Sequence, residues 1–488
     1  MTPAIDRRLY HIAAAVVAAI TIVRLVVLVV SPLELYPDEA QYWFWAQHPA
    51  LGYFSKPPMI GWIVWFTTTL FGDSEWAIRI STPLLHAGTA MFIYGIARRL
   101  SDSRVGMWSA IAYITLPGLS YSSGLVSTDV PLLFCWSMAL YAFIRATEGR
   151  SWRWPVLCGI ALGLGLMSKY AMLYFVLGAV IAAVFIPRAR RLVLSWRGLA
   201  ILLIGLALLA PNIWWNWMNG FPTVGHTEAN ANWSHPRYNI LNTLSFLGGQ
   251  FGVFGPVMMV AFIASLWKLA RARDDRDLLL AAFSLPPLVI IIVQAFISEA
   301  NANWAATAYI AATPLAVGFM LSTPKRWPLY LSIGFDSLVM VMLWIIAVAP
   351  QSAGLIGQGN AFKREEGWRK LCLDVVEEAW NRPYDTIAIA NRSVMAEMLY
   401  YGKSALLPIR MWDGDTHNDD HFQMTVPLTG GHRILVVLYP AEEAMVLPTF
   451  DSAKQVGRIS VPVGGHHTRT FDLFDARGFH GARAPHKR

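Results

Sequence analysis

The sequence predicts an all-α polytopic membrane bundle with a small α/β domain at its C-terminus, and three observations lead to this fold class. Apolar residues make up 55% of the 488 residues and charged residues only 14%, well below the roughly one quarter that soluble domains carry. Most apolar residues lie in long runs that can cross a bilayer. Residues 350–488 differ, because short apolar segments alternate there with charged and polar ones.

Eleven apolar runs are long enough, or nearly long enough, to span a membrane, so residues 1–349 are assigned to a transmembrane domain. The first run is too long for the apolar part of a signal peptide, and no small-residue cleavage site follows it, which predicts a retained span. The run Met59 to Phe71 is too short to cross and is expected to lie flat as a juxtamembrane helix. The predicted spans are 12–31, 76–97, 105–122, 130–144, 155–167, 170–187, 198–214, 250–267, 278–297, 304–322 and 328–349.

The distribution of basic residues predicts the orientation of the bundle. Arginine and lysine cluster in alternate loops, as at 188–197 and 268–276, whereas the loops between them carry only Lys56, Lys169 and Arg237. The positive-inside rule places the first set in the cytoplasm. The loop after the first span and the domain 350–488 then lie outside, on the opposite side of the membrane. The net charge of +8 is spread over these short clusters and indicates no nucleic-acid partner.

The tail, residues 350–488, is predicted to be a small soluble domain of mixed helices and strands. An amphipathic helix is expected from Lys363 to Trp380, and a second helix from Ser393 to Tyr401. Buried strands are expected at Thr386–Ala390 and Ile434–Tyr439. We expect these elements to form an α/β layer on the outer mouth of the bundle.

No metal site is predicted. The three cysteines are scattered and provide neither a disulfide framework nor metal-ligand spacing. The run Asp413 to His421 is rich in acids and histidine, but it lacks the Gly and the Glu that a calcium-binding loop requires at its sixth and twelfth positions. A solvated turn is expected there, because clusters of Gly, Asn and Asp are usually loops.

The stretch from Tyr36 to Trp43, directly after the first span, is the strongest candidate for chemistry. Pro32 and Pro37 end the first helix, and the adjacent acids Asp38 and Glu39 follow. The two carboxylates could simply cap the next short helix, because acids are favoured at helix starts. A carboxylate held at a membrane surface under an aromatic lid instead indicates a functional group.

Four basic residues on or near the outer face are candidate phosphate ligands: Lys56, Lys169, Arg24 and Arg79. Lys56 could instead be a lysine whose long side chain simply reaches the interface. Lys169 lies in a three-residue break between two apolar runs, where a charge is costly unless it has a role. Arg24 and Arg79 could either extend to the interface or face the bundle. Asp129 could cap the span that it begins, or act in the site.

These residue types on one outer surface suit sugar transfer from a lipid-linked phosphate. The lipid chain would lie in the bilayer, and lysines would neutralise the phosphate as the glycosidic bond breaks. Asp38 would take the proton from the incoming hydroxyl, with Glu39 orienting a helix end or the acceptor. We expect Asp38, Lys56 and Lys169 to meet in one pocket. The groove around it is predicted to include Tyr42, Tyr53, Tyr170, His226, Glu228, Gln250, Asn303 and Trp304.

Several short motifs follow one another along residues 1–350. The most specific are the Asp-Glu pair within 36–43 and the Lys-Pro-Pro that ends 51–58, and weaker ones lie at 71–75, 127–132, 166–170, 246–250 and 303–304. With these motifs the sequence resembles the GT-C glycosyltransferases, specifically bacterial relatives of the protein O-mannosyltransferases and of the lipid A aminoarabinose transferase. The tail matches that pattern only loosely.

The resemblance implies a GT-C fold, a polyprenyl-phosphate sugar donor and transfer on the periplasmic face. It implies that Asp38 is the catalytic carboxylate, Asp129 a second acid of the site and Lys56 a phosphate ligand. The aminoarabinose transferase has a Glu implicated in metal binding where this chain has Ser55, so no metal cofactor is expected. The preferred subgroup is the galacturonosyltransferases that modify lipopolysaccharide core and lipid A.

The predicted protein is an inverting glycosyltransferase that acts, as a monomer among membrane lipids, on a glycolipid or glycan acceptor such as lipid A or lipopolysaccharide. Two alternatives remain open, a protein O-glycosyltransferase and a flippase of lipid-linked saccharides. A flippase needs a path across both leaflets, usually built from related halves. Here the polar positions crowd one face, and no matching halves are visible in the sequence.

Overall fold

Helices form most of the chain, which the computed structural model describes over residues 3–233, 236–359, 362–414, 418–465 and 467–480. The chain divides into two compact units. The first unit comprises Met1–Val29, Lys56–Ile63 and Arg79–Trp344, and the second comprises Val30–Ser55, Val64–Ile78 and Ile345–Arg488. The second unit therefore contains the segment after the first helix as well as the tail. A domain boundary at residues 349 and 350 stays a prediction.

The helix bounds follow the apolar runs closely. In chain order the helices are α1 (Pro3–Val30), α2 (Pro37–Gln47), α3 (Met59–Phe71), α4 (Glu75–Arg79), α5 (Ser81–Leu100), α6 (Ser103–Thr115), α7 (Pro117–Ser122), α8 (Asp129–Glu148), α9 (Arg153–Ser168), α10 (Leu173–Phe185), α11 (Pro187–Val193), α12 (Trp196–Met218), α13 (Pro222–Ala231), α14 (Ile240–Phe254), α15 (Pro256–Arg271), α16 (Asp275–Ile297), α17 (Ala308–Ser322), α18 (Trp327–Val348), α19 (Trp368–Trp380), α20 (Arg392–Tyr401), α21 (His421–Thr425) and α22 (Glu443–Val446). Short 3₁₀ turns lie at Tyr170–Met172, Ala302–Ala305, Pro350–Ile356, Lys403–Ala405, Pro440–Glu442 and Leu447–Thr449.

Within the described ranges, six helical segments are long and apolar enough to cross a membrane, and a seventh arises if the bent pair α14 and α15 counts as one span. The chain is a multi-pass membrane protein. The six are α1, α4 with α5, α8, α12, α16 and α18. The remaining apolar helices, α3, α9, α10 and α17, are shorter. The bounds predicted for α3 are confirmed, while its flat orientation, the number of eleven spans and the sidedness stay predictions.

The predicted spans 105–122 and 250–267 are each interrupted, and a proline follows each break. The run 105–122 is split between α6 and α7, because Pro117 has no amide hydrogen to continue the helix. The run 250–267 is split between α14 and α15, which meet at 107° around Gly255. Gly255 has φ +83°, and a Cβ there would lie 2.6 Å from Oδ1 of Asp336. Neither run therefore forms one continuous helix.

Close packing of α9 brings distant parts of the first unit together. This helix packs on both α8 and α12, and small residues allow the close approach. A Cβ at Gly163 of α9 would lie 2.6 Å from Cβ of Leu208 on α12. The helix ends at Ser168, and Lys169 continues in an extended conformation with φ −161° and ψ 136°. The side chain of Lys169 thereby reaches Asp129 at the start of α8.

A five-stranded mixed sheet forms the centre of the second unit. Its strands are β1 (Thr386–Ile389), β2 (Ile409–Met411), β3 (Ile434–Leu438), β4 (Phe450–Pro462) and β5 (Thr468–Phe479), in the order β2-β1-β3-β5-β4. Strand β1 is parallel to β2 and β3, and β5 is antiparallel to β3 and β4. Strands β1 and β3 are buried along their whole length, as their apolar sequences predict. The predicted α/β tail is confirmed.

Helix α20 ties the segment after the first span to the tail within the second unit. It packs on α2, with the ring of Tyr400 at 5.0 Å from that of Trp43. The hydroxyl of Tyr401 accepts a hydrogen bond from the backbone amide of Leu35 at 2.8 Å. The predicted helix at 393–401 is confirmed as α20, and the one expected from Lys363 begins only at Trp368, after a glycine with positive φ.

The polar run Asp413 to His421 is described except at residues 415–417, which lie outside the described residues. Its last two members are buried. Asp420 caps α21 by accepting hydrogen bonds from two backbone amides of that helix, and the ring of His421 lies 5.6 Å from the ring of Trp45. The expectation of a solvated turn is therefore wrong for these two residues.

Candidate active site

Asp129 is the centre of a polar cluster in the first unit. Its Oδ1 accepts a hydrogen bond from Nζ of Lys169 at 2.6 Å, and its Oδ2 accepts one from Nδ2 of Asn303 at 2.7 Å. The side chains of Asp129 and Lys169 are 12% and 23% exposed. A charge-assisted pair shielded in this way holds both partners in one geometry. Three residues predicted for the site therefore come together from three separate segments.

Gln250 anchors the segment that carries Asn303. Its Nε2 donates to the carbonyl of Ala302 at 3.2 Å, and its Oε1 accepts from the hydroxyl of Tyr309 at 2.5 Å. Gln250 is buried, so a lost partner would leave a costly unsatisfied group. The turn Ala302–Ala305 is thereby fixed, and Trp304 within it packs against the apolar core. Substrate contacts of Gln250 and Trp304 stay predictions.

A cavity of about 420 Å³ opens beside Asp129 in the first unit. Its wall combines polar side chains, among them Asp129, Asn303 and His86, with apolar ones such as Leu119 and Val253. This volume falls within the roughly 300–1,000 Å³ that is usual for small-molecule sites. The cavity can therefore hold a polar group of ligand size against the Asp129 carboxylate.

Arg24, a predicted phosphate ligand, is buried inside the first unit. Its Nη2 donates to the carbonyl of Ile114 at 2.7 Å and to the hydroxyl of Ser120 at 3.2 Å. Ile114 belongs to the last turn of α6, whose carbonyls lose their helical partners because the helix stops before Pro117. Arg24 therefore provides a hydrogen-bond partner for a carbonyl at the end of α6. An unpaired carbonyl would be costly there, because the site is buried. A phosphate contact for Arg24 stays a prediction.

The other predicted residues of the first unit have varied surroundings. Arg79 is buried, and Lys56 is half-buried. The hydroxyl of Tyr170 donates to Oδ1 of Asn212 at 2.7 Å, which fixes its ring beside the break that carries Lys169. His226 is half-buried and Glu228 exposed, both on α13. Ligand contacts of His226, Glu228, Tyr170, Lys56 and Arg79 stay predictions.

The adjacent acids of α2, in the second unit, have different surroundings. Glu39 is 1% exposed, and its Oε2 accepts the backbone amide of Tyr36 at 3.0 Å, a bond that caps its own helix. The side chain of Asp38 is 44% exposed, and its Oδ1 accepts from Nη1 of Arg392 at 3.0 Å. Its Oδ2 has no hydrogen-bond partner within the described ranges. Glu39 thus stabilises the helix start, while Asp38 keeps one oxygen available; catalysis by either stays a prediction.

The aromatic residues predicted for the groove, Tyr42 and Tyr53, pack inside the second unit. The ring of Tyr53 stacks on Trp45 at 4.3 Å, and its hydroxyl donates to the Trp45 carbonyl at 3.1 Å. Burial raises the pKa of Tyr53 to about 12, so this hydroxyl stays protonated. Burial also lowers the pKa of the neighbouring His421 to about 4. Contacts of Tyr42 and Tyr53 with substrate stay predictions.

Sequence reasoning missed Arg392, which binds Asp38 in the second unit. Nη1 of Arg392 donates both to Asp38 and to Oε1 of Gln41, which is buried. Asn391 at the N-cap after strand β1 signals a helix start. Nothing in the sequence indicates that the next residue meets an acid 354 positions away.

Comparisons with known proteins agree with this architecture. The lipid A galacturonosyltransferase RgtD of Rhizobium johnstonii is 36% identical over 391 residues, which cover 79% of this chain and 81% of RgtD. The chain belongs to the GT-C glycosyltransferases. The family model described as dolichyl-phosphate-mannose-protein mannosyltransferase matches residues 55–215. This GT-C chain is also 29% identical over 186 residues to an undecaprenyl phosphate-alpha-4-amino-4-deoxy-L-arabinose arabinosyl transferase of Pseudomonas fluorescens, across 34% of each chain.

A solved structure shares the fold. ArnT from Cupriavidus metallidurans, bound to undecaprenyl phosphate, superposes with a TM-score of 0.65 at 17% identity, and the match covers 95% of this chain and 97% of ArnT. The predicted GT-C fold and the glycosyltransferase class are confirmed. Within the described ranges no group of three or more His, Cys, Asp or Glu side chains is arranged to hold a metal ion.

Proposed function

We propose that this GT-C glycosyltransferase moves a sugar from a polyprenyl-phosphate donor to lipid A or another part of lipopolysaccharide, on the periplasmic face of a bacterial inner membrane. The observation that carries the proposal is the likeness to RgtD, a lipid A galacturonosyltransferase, along 391 residues. The undecaprenyl phosphate in the name of the arabinosyl transferases supports a lipid-linked donor. The name of RgtD, a galacturonosyltransferase, supports a uronosyl group as the transferred sugar.

The donor phosphate is assigned to the cluster around Lys169. A lysine ammonium has three N–H donors, and the one described partner of Lys169 is Asp129. Two donors remain for phosphate oxygens, while Asp129 holds the ammonium in place. The cationic group neutralises the charge that develops on the phosphate as the bond to the sugar breaks. Lys56 is proposed as a second phosphate ligand.

Asp38 is assigned as the base for the acceptor. Its Oδ2 accepts the proton of the acceptor hydroxyl, and the oxygen of that hydroxyl attacks the anomeric carbon of the donor sugar. The new glycosidic bond forms on the opposite face from the bond to phosphate, which breaks and releases polyprenyl phosphate. One such displacement inverts the anomeric centre. The 44% exposure of the Asp38 side chain is compatible with a substrate reaching it.

The product of the reaction tests this function. The purified protein in proteoliposomes receives a radiolabelled polyprenyl-phosphate uronosyl donor together with lipid A, or with a Ser/Thr-rich peptide. Labelled lipid A without labelled peptide is the expected result. Labelled peptide would instead identify a protein O-glycosyltransferase, and donor movement between leaflets without any transfer would identify a flippase.

A further inference from the structure

Arg392 presents a donor edge beside the carboxylate of Asp38. Its Nη1 makes the contacts to Asp38 and Gln41. Its Nε and Nη2, which form the fork side of the guanidinium, have no hydrogen-bond partner in the part of the chain that the structure describes. The Arg392 side chain is 42% exposed. A guanidinium fork of this kind matches two oxygens of one carboxylate or phosphate.

The position of Arg392 is fixed by its surroundings in the second unit. It is the first residue of α20, and Asn391 caps that helix by accepting the amide of Ser393 at 2.9 Å. The amide group of Asn391 donates to Oε1 of Glu442 at 3.1 Å. Gln41 is buried, so the packing around it fixes the Oε1 atom that accepts from Nη1 of Arg392. The two hydrogen bonds of Nη1 therefore orient the guanidinium and, with it, the Nε and Nη2 edge.

The charges around Asp38 explain why a fork would be needed there. A substrate anion placed at Asp38 would be repelled by that carboxylate unless a cation received it. A neutral sugar with a neutral acceptor has no comparable need for a bidentate cation. Because the donor phosphate is assigned to Lys169, the arrangement at Asp38 favours a further oxyanion, on the transferred sugar or on the acceptor.

We propose that the Nε and Nη2 edge of Arg392 binds an oxyanion of the substrates that meet at Asp38 and so determines substrate specificity. The oxyanion has two possible sources: the carboxylate of a transferred uronosyl group, or a phosphate of the acceptor glycolipid. The inference rests on the proposed role of Asp38 as the base. Arg392 through Nη1 also holds Asp38 in place, but the specificity comes from the other edge.

The experiment compares matched substrates with the full-length protein in proteoliposomes. Donors are a polyprenyl-phosphate uronosyl compound and its hexosyl counterpart, in which a hydroxymethyl group replaces the carboxylate. Acceptors are lipid A with and without its phosphates. Values of kcat/KM are measured for wild type, Arg392→Lys and Arg392→Ala. The matched control is Arg382→Ala, which removes an arginine of the same unit that pairs with Glu378.

The ratio between matched substrates decides the outcome. Wild type is expected to prefer the anionic member of one pair by about 10- to 100-fold, the range of a charged hydrogen-bonded contact. Arg392→Ala abolishes that preference, Arg392→Lys retains part of it, and Arg382→Ala retains it fully. Loss of preference in the donor pair identifies the sugar carboxylate, and loss in the acceptor pair identifies the phosphate.

Two other outcomes would contradict the inference. If Arg392→Ala lowers the rate equally with all substrates and leaves both preferences intact, the inference is overturned but the proposed function stands. If the wild type is inactive with every pair, both are overturned.

Discussion

Nζ of Lys169 lies 2.6 Å from Oδ1 of Asp129, although 40 positions separate the two residues in the chain. The pair explains how a lone lysine is tolerated between two apolar helices, because a buried charge needs a partner. It also explains why α8 begins with an acid. Asn303 completes the arrangement by binding the other oxygen of the same carboxylate.

We expect Lys169→Ala to weaken binding of the polyprenyl-phosphate donor about 10- to 100-fold, because a charged hydrogen-bond donor to the phosphate is lost. Direct binding of a labelled donor to purified protein measures the change. The control is Lys325→Ala, which removes an exposed lysine between α17 and α18. The double variant Lys169→Ala with Asp129→Asn avoids an unpaired carboxylate. Wild-type affinity in this double variant would remove Lys169 from the donor site.

Gly255→Ala is expected to lower the stability of the protein by about 1–3 kcal/mol, the range for a residue forced into a sparsely populated backbone conformation. The added Cβ would also meet Oδ1 of Asp336 at 2.6 Å. Thermal unfolding in detergent provides the measurement. Gly252→Ala is the matched control, because no atom lies within 4 Å of a Cβ at that position in the same region. Equal melting temperatures for the two variants would contradict this account of the break.

The stability of the protein is expected to fall as the pH drops from about 6.5 to about 4, in part because of His421. Burial lowers the pKa of His421 from 6.5 to about 4, so in this window the unfolded state binds a proton that the folded state excludes. Stability therefore rises with pH here, by up to about 3 kcal/mol from this group. The measured quantity is the difference in unfolding between wild type and His421→Phe across the window. A difference that does not change with pH would refute a buried neutral imidazole.

A cysteine introduced at Ser55 is expected to react with a membrane-impermeant thiol reagent from the periplasm. The positive-inside rule places the loop after the first span there. The three native cysteines are buried and give little background. Ser151→Cys serves as control, because this exposed residue lies in a basic loop assigned to the cytoplasm. Labelling of the Ser55 variant only after permeabilisation of the inner membrane would reverse the predicted orientation.

Local signals made several elements predictable. Pro37 and the acids after it mark the start of α2, and the apolar run after Pro58 matches α3 at both ends. Strands β1 and β3 are continuous apolar segments, which the sequence alone identifies. The hairpin of β4 and β5 was not predicted, because its residues alternate between exposed and buried positions only irregularly.

Long-range pairing was the part that the sequence could not provide. Asp129, Lys169 and Asn303 were each expected in the site from their positions at span ends, but no pattern indicates that they bind one another. Arg392 was absent from the expected site, because an arginine at a helix start in a soluble tail is usually solvated. The break at Gly255 had a local signal in the following proline, which the surrounding apolar run outweighed.

Asp38 is proposed to deprotonate the acceptor hydroxyl. Single-turnover transfer from a polyprenyl-phosphate donor to lipid A tests it most directly, with wild type beside Asp38→Asn and with Asp451→Asn as an exposed control of the same unit. We expect Asp38→Asn to bind the donor normally and to transfer at least about 100-fold more slowly, the scale of lost general base catalysis, while Asp451→Asn matches wild type. Transfer by Asp38→Asn at the wild-type rate would show that Asp38 is not the base.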